Sequence, residues 1–186
     1  MPRILSAIFF LLISVLPTFA KEKNKPTSPA AIHLTREREK WAEKTLRKLT
    51  LEEKIGQVFM VWCRAGFLNV ESPDYLHMRE AMEKYHVGSF AMSVPVDGPF
   101  LLRTGPYEAA ELLNRLQRDS KLPLLVAADF ERGVSMRLTG TTVFPHAMAF
   151  GADGKIEDAE TSGRITALEA RAIGVHWNFF PDADVN

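Results

Sequence analysis

The segment PLLVAADFERGVSMRL, residues Pro123–Leu138, begins as an apolar run and ends in a cluster of charged side chains. Leu124–Ala128 has the length and composition of a buried strand. Asp129, Glu131 and Arg132 follow it within four residues. Parallel α/β folds bind their ligands at the carboxyl ends of the strands. The change from apolar to charged therefore predicts the end of a strand, where the charged groups either form a functional site or are only the solvated, ion-paired end of that strand.

The same pattern repeats along the chain, with helix-like segments between apolar runs of strand length. The strand candidates are QVFMVW, VGSFAMSV, LPLLVAAD and VHWNFFPDADV, and the helical segments between them are YLHMREAMEKY, PYEAAELLNRLQRDS and IEDAETSGRITALEARAIG. Apolar strands that are separated by helices indicate a parallel sheet. Four strands and three crossovers fit either a doubly wound open sheet or the first half of an eight-stranded barrel, and the internal pattern does not separate the two.

Helix starts and helix faces add detail to this scheme. A helix is predicted from about Thr35 to Lys48, and Thr50 and Glu53 have the spacing of a capping box that starts a short second helix. The third crossover helix has a face of small residues, which should permit close packing on the sheet: Ala159, Gly163, Ala167 and Ala170.

Composition and common motifs exclude several classes of function. Lys+Arg and Asp+Glu number 23 each, so no net field favours nucleic acid or an anionic membrane. Cys63 is the only cysteine, and its apolar neighbours predict a buried, inert thiol. The sequence has no GxSxG, HExxH or glycine-rich phosphate loop. His146 and His176 are predicted to be packed or hydrogen-bonded side chains and not metal ligands.

The N-terminal segment MPRILSAIFFLLISVLPTFA predicts export. Arg3 precedes the apolar run Ile4–Leu16, and Ala20 ends a stretch suited to cleavage. The run is shorter than the roughly 20 apolar residues that a transmembrane helix needs. We interpret residues 1–20 as a signal peptide, with an uncleaved anchor as the alternative, and residues 21–34 as a flexible linker. The mature protein is then expected to be periplasmic or secreted.

Asp129 and Glu131 raise the question of a glycosidase pair. Retaining glycosidases hold two carboxyl groups about 5–5.5 Å apart, on either side of the scissile bond. Residues i and i+2 of a strand share a face at a spacing of about 6.5 Å, and would approach a sugar from the same side. This geometry favours substrate holding over catalysis for the pair.

Four ordered blocks extend from Leu49 to Asn186: LTLEEKIGQVFM, LPLLVAADFERG, TTVFPHAMAFGADG and EARAIGVHWNFFPDADVN. Together they resemble the N-terminal domain of glycoside hydrolase family 3, which includes β-glucosidases and β-N-acetylhexosaminidases. The resemblance implies a TIM-like (β/α)8 barrel, of which residues 35–186 form about the first half. It also implies a retaining hydrolase of β-linked glycosides that needs no metal or organic cofactor. The expected partner is a carbohydrate, with no nucleic acid and no stable membrane span after signal cleavage.

The resemblance also assigns roles to individual residues. Asp129 opens the family's D-x-E-G-G type motif, and so corresponds to the carboxylate that holds hydroxyls of the bound sugar. Glu131 and Arg137 are expected to support the loop, and Asp184 to support the site. The family's E-G-G-R-V-x-R reads ERGVSMR here, so that Arg132 replaces a glycine.

The family's reacting groups lie further along the chain than Asn186. A K-H-[FS]-x-G-H-G segment would follow that residue and supply the acid/base histidine of hexosaminidases, and the nucleophilic aspartate comes later still. We therefore expect no catalytic residue in this chain and no hydrolysis by the chain alone, which we interpret as the front part of an enzyme or as a gene fragment. The segments FPHAMAFGA and NFFPDADV favour a β-N-acetylhexosaminidase-like member. A β-glucosidase and a non-catalytic carbohydrate-binding or scaffold protein are the alternatives.

Overall fold

Residues 34–182 are described by the structure, a computed structural model. The predicted signal peptide, almost all of the predicted linker and Asp184 lie outside these residues. The chain divides into two units, residues 1–41 and 42–186. The predicted first helix is confirmed as α1 (Arg36–Lys48), which buries none of its residues.

Helices and strands alternate through the rest of the described chain. In order they are α2 (Leu51–Gln57), β1 (Met60–Arg64), α3 (Pro73–Glu83), β2 (Ser89–Ser93), β3 (Val96–Asp97), β4 (Phe100–Leu101), α4 (Pro106–Asp119), β5 (Leu125–Ala128), a 3₁₀ turn (Val134–Met136), α5 (Ala147–Asp153), α6 (Ile156–Ala172) and β6 (Trp177–Asn178).

Local capping explains where two of the helices begin. The Thr50 side chain accepts a hydrogen bond from the Glu53 amide at 3.2 Å, and Glu53 accepts one from the Thr50 amide at 2.9 Å. This confirms the predicted capping box at the start of α2. Ser72 caps α3 in a similar way, and Pro73 occupies the first turn, where its missing N–H leaves no bond unmade.

The main sheet has the order β1-β2-β5-β6, and all of its pairs are parallel. The order of the strands in the sheet is also their order along the chain. It lacks the reversal of strand order that marks a doubly wound fold. The buried core joins one face of the sheet to side chains of α3, α4 and α6. A parallel sheet with its crossover helices on one face is the first half of a TIM-like barrel, which confirms that prediction.

The two faces of the sheet have different surroundings. The face towards the helices carries core residues from each of the first three strands: Cys63, Phe90, Met92, Val126 and Ala128. The register places Trp62, Ala91, Ala127 and Trp177 in one row on the opposite face. In a closed barrel this second face points towards the axis. A ligand at the barrel mouth would lie at the carboxyl ends of these strands.

Besides the 3₁₀ turn, two short elements were not predicted from the sequence. The first is the antiparallel hairpin of β3 and β4, which turns at Gly98 with a φ of 55°. The second is α5, which ends at Gly154 in the left-handed conformation. Both have few residues and none of them is buried, so neither has the apolar periodicity that identifies longer elements.

The predicted close packing of the small face of α6 was wrong for most of that face. Ala170 is buried, but Ala159, Gly163 and Ala167 are exposed and border a cavity of about 510 Å³. Small side chains are too short to reach the residues across this space, so the small face leaves a gap there instead of a tight contact.

Candidate functional site

Asp129 is the first residue after β5, at the carboxyl edge of the sheet. Its Oδ2 accepts a hydrogen bond from Arg137 Nη2 at 3.3 Å, and its backbone carbonyl accepts one from Arg137 Nε at 3.2 Å. The Asp129 side chain is 34% exposed. Within residues 34–182, its second oxygen Oδ1 accepts no hydrogen bond. Arg137 thus fixes the carboxylate through one oxygen and leaves the other accessible.

The loop that carries Arg137 is held in place by a glycine conformation and by two side-chain hydrogen bonds. Gly133 has φ 79° and ψ 178°, a conformation that is essentially restricted to glycine. The 3₁₀ turn follows, and Ser135 Oγ donates to the Arg132 carbonyl at 3.2 Å. Arg103 Nη1 donates to the Ser135 carbonyl at 3.1 Å. These contacts return the chain towards β5, so that Arg137 reaches Asp129.

Asn178 connects the ends of β5 and β6, and the sequence analysis did not single it out. Its Oδ1 accepts hydrogen bonds from the Phe130 amide at 3.0 Å and from the Phe180 amide at 3.3 Å. Both amides belong to segments that have just left the sheet and need new partners. The available signal was a lone amide side chain within the apolar run VHWNFF.

Asp129 and Glu131 both lie beyond the end of the strand. Because β5 ends at Ala128, the expected i, i+2 spacing on one strand face does not apply to this pair. Glu131 instead borders the cavity of about 510 Å³ near α6, and in the described part of the chain its carboxylate makes no hydrogen bond or ion pair. The supporting roles of Glu131 and Asp184 stay predictions. Arg132 has a buried Nε without a partner among the described residues, and nothing in the structure explains its presence in place of glycine.

The cysteine and the other possible metal ligands do not form a second candidate site in the described residues. Cys63 is buried, as predicted, and its burial raises the pKa of the thiol to about 12, so it is not a nucleophile. Between residues 34 and 182, no three His, Cys, Asp or Glu side chains are grouped so as to hold a metal ion. In the same range, no helix has both the length and the apolar character that a membrane crossing requires.

His176 is hydrogen-bonded, as predicted, and it extends the pairing between β5 and the segment before β6. Its Nδ1 accepts a hydrogen bond from the Val126 amide at 3.1 Å, which requires that this nitrogen be unprotonated. Desolvation by burial lowers the pKa of the imidazole, and the charge of Arg171 lowers it further.

We expect this histidine to make folding stability depend on pH. The unfolded chain takes up the proton at a pKa near 6.5, whereas the folded chain takes it up only at a lower pH. The contribution of His176 to the free energy of unfolding is therefore fully present above about pH 6.5. It is lost as the pH falls through the lower pKa of the folded state. Urea midpoints measured from pH 8 to pH 5 should show this loss as a decrease. His176→Asn, which keeps an acceptor but cannot be protonated, should show a smaller one, and equal slopes would contradict the assignment.

Comparisons with known proteins find relatives of this chain. A family model described as the glycosyl hydrolase family 3 N terminal domain matches residues 50–186. A β-N-acetylglucosaminidase/β-glucosidase from Cellulomonas fimi is 28% identical over 146 residues, which are 78% of this chain and 23% of that protein.

Solved structures give the same result. A glycoside hydrolase family 3 β-N-acetylglucosaminidase from Paenibacillus sp. str. FPU-7 superposes with a TM-score of 0.60 and 34% identity, over 74% of this chain and 25% of that chain. The β-glucoside phosphorylase BglX superposes with a TM-score of 0.62 and 26% identity, over 80% of this chain and 23% of that chain. The chain spans about a quarter of the length of these relatives.

Proposed function

The chain belongs to glycosyl hydrolase family 3, and on that premise we propose that it supplies the first barrel half and the sugar-holding carboxylate of a retaining β-N-acetylhexosaminidase. The observation that carries this proposal is the placement of Asp129 at the carboxyl end of β5, fixed by Arg137 and still partly exposed. The groups that attack and protonate the glycosidic bond are not among the residues of this chain. Its own residues bind and orient the sugar.

A fixed carboxylate suits the binding of a sugar. Each oxygen can accept charge-assisted hydrogen bonds, and two neighbouring hydroxyls of a pyranose can donate to one carboxylate. Arg137 restrains Asp129 through both the backbone carbonyl and the carboxylate, so little side-chain freedom remains to be lost on binding. Hydrogen bonds of this kind contribute to rate when they strengthen as the sugar distorts towards the transition state.

The preference for an N-acetylated sugar rests on the FPHAMAFGA and NFFPDADV segments and on the similarity to the Paenibacillus β-N-acetylglucosaminidase. The Cellulomonas fimi relative carries both β-N-acetylglucosaminidase and β-glucosidase in its name. A β-glucosidase is therefore the second candidate within the same chemistry.

The proposed function is tested with the full-length protein that the gene encodes and with aryl β-glycosides. We expect release of free N-acetylglucosamine, with kcat/KM at least about tenfold above that for the glucoside. The reverse preference would identify a β-glucosidase. A sugar 1-phosphate formed only in the presence of inorganic phosphate would contradict hydrolysis. Sugar binding without turnover of either substrate would indicate the scaffold alternative.

We also propose that the protein is exported and that its signal peptide is removed. The support is the order of Arg3, the apolar run Ile4–Leu16 and the small residue Ala20. Mass spectrometry of the protein expressed in its native host should give an N-terminus at Lys21. A chain that retains Met1 in the membrane fraction would favour the uncleaved anchor.

A further inference from the structure

The pairing of β5 with β6 places Trp177 on the face of the sheet that points away from the helices, and Phe179 level with Asp129 at the carboxyl edge. Trp177 pairs with Ala127, two residues before Asp129. The Phe179 amide donates to the Ala128 carbonyl at 3.0 Å, so the pairing continues one residue beyond β6. Phe179 is therefore the neighbour of Asp129 across the two segments. The Trp177 and Phe179 rings meet edge to face, with centroids 5.1 Å apart and planes at 70°.

The two aromatic side chains differ in size and exposure from the small residues beside them in the sheet. In this chain, which holds only the first half of the barrel, Trp177 is 50% and Phe179 41% exposed, whereas Ala127 and Ala91, in the row of Trp177, are buried. The edge-to-face contact with Trp177 restricts the orientation of Phe179. Phe179, whose ring orientation is restricted, is thus level with Asp129, whose carboxylate still has an accessible oxygen.

A sugar ring has the chemistry that matches this combination. Equatorial hydroxyls lie at the rim of a pyranose, where a carboxylate can accept from them, and C–H groups form its two faces. An aromatic side chain can cover such a C–H face. An axial hydroxyl on the covered face would point into the aromatic ring and lose its hydrogen bonds there. An aromatic side chain on the face from which the 4-epimer projects its axial hydroxyl therefore distinguishes the two epimers.

We propose that Phe179, positioned by Trp177, covers the face of the bound sugar from which a galacto-configured ring projects its axial 4-hydroxyl, and so selects a gluco-configured ring while Asp129 binds the hydroxyls at the rim. The inference rests on the proposed function in that it takes a β-glycoside as the substrate. It adds a residue that determines specificity. It also names the property of the sugar that this residue distinguishes, which is the configuration of the 4-hydroxyl.

The test compares N-acetylglucosaminide with its 4-epimer, the N-acetylgalactosaminide, in the full-length protein. Phe179→Leu should lower kcat/KM for the gluco substrate by about tenfold, mainly through KM, and should bring the two epimers closer together. Phe179→Trp, which keeps an aromatic face, should retain the preference. Phe59→Leu is the matched control, because Phe59 is 56% exposed but precedes β1 at the opposite edge of the sheet. This control should change neither substrate.

Two kinetic results would overturn the inference. One is an equal loss for both epimers in Phe179→Leu together with a lower melting temperature, which would mean that Phe179 only packs inside the protein. The other is an unchanged epimer ratio in a stably folded variant. If the wild-type protein hydrolyses neither substrate, the proposed function fails and the inference is judged by binding. Free N-acetylglucosamine should then still bind more tightly than N-acetylgalactosamine, and Phe179→Leu should remove that difference. Equal binding of the two sugars by the wild-type protein, or binding of neither, would overturn it.

Discussion

Replacement of Asp129 by alanine is expected to lower kcat/KM of the full-length protein by about 100-fold or more. The substitution removes a charged acceptor that two sugar hydroxyls would share. It also leaves the Arg137 guanidinium, whose side chain is only 16% exposed, without its carboxylate partner. Steady-state kinetics on an aryl β-N-acetylglucosaminide measures the effect. Because the interaction strengthens in the transition state, the loss should be found in kcat as well as in KM.

The controls for this prediction separate sugar binding from folding. Asp129→Asn keeps the shape and one acceptor oxygen, and should lose less activity than Asp129→Ala. Asp74→Ala removes an exposed aspartate in the first turn of α3, and should have activity close to wild type. Wild-type kinetics in an Asp129→Ala protein with an unchanged melting temperature would remove Asp129 from the site.

Gly133→Ala is expected to have the largest effect on stability near the site. A Cβ at this position would lie 2.8 Å from Phe144 Cδ2 and 3.2 Å from the Thr142 carbonyl oxygen. The backbone also has φ 79° and ψ 178°, which disfavours any side chain. Strain and steric overlap together should destabilise the fold by about 2–4 kcal/mol. Urea unfolding of the full-length protein, followed by circular dichroism, measures this free energy.

Gly140→Ala separates the cost of backbone strain from the cost of steric overlap. Gly140 has a similar φ of 73°, but an added Cβ would meet no atom within 4 Å. It should therefore show only the cost of the left-handed backbone, about 1–2 kcal/mol. Equal losses in the two variants would mean that the contact with Phe144 has no energetic role. Gly133→Ala should in addition lower activity, because the loop that it distorts carries Arg137 to Asp129.

The long elements could be predicted from the sequence because their signals are local. The buried residues of α4 are Ala109, Leu112, Leu113 and Leu116, which recur at helical spacing, and the Thr50–Glu53 capping box is contained in four residues. The hairpin of β3 and β4 buries neither of its strands and could not be found in this way. The length of β6 depends on its partner, since its pairing with β5 determines where it begins and ends.

The candidate site was predictable only in part, for a related reason. The apolar run before Asp129 predicts a strand end, and the resemblance assigns a sugar-holding role to that residue. The double contact of Arg137 with Asp129 depends on a loop whose path is set by Gly133 and by its closeness to Phe144, 11 residues further on. Asn178 joins segments that are 48 residues apart. Such contacts arise from the tertiary fold and leave little trace in a local pattern.

A crystal structure of the full-length protein with bound N-acetylglucosamine would test the central claim most directly. The account predicts that the Asp129 carboxylate accepts hydrogen bonds from two adjacent hydroxyls at about 2.5–2.7 Å, while Arg137 still donates to Oδ2. A sugar bound at the barrel mouth without contact to Asp129 would contradict it.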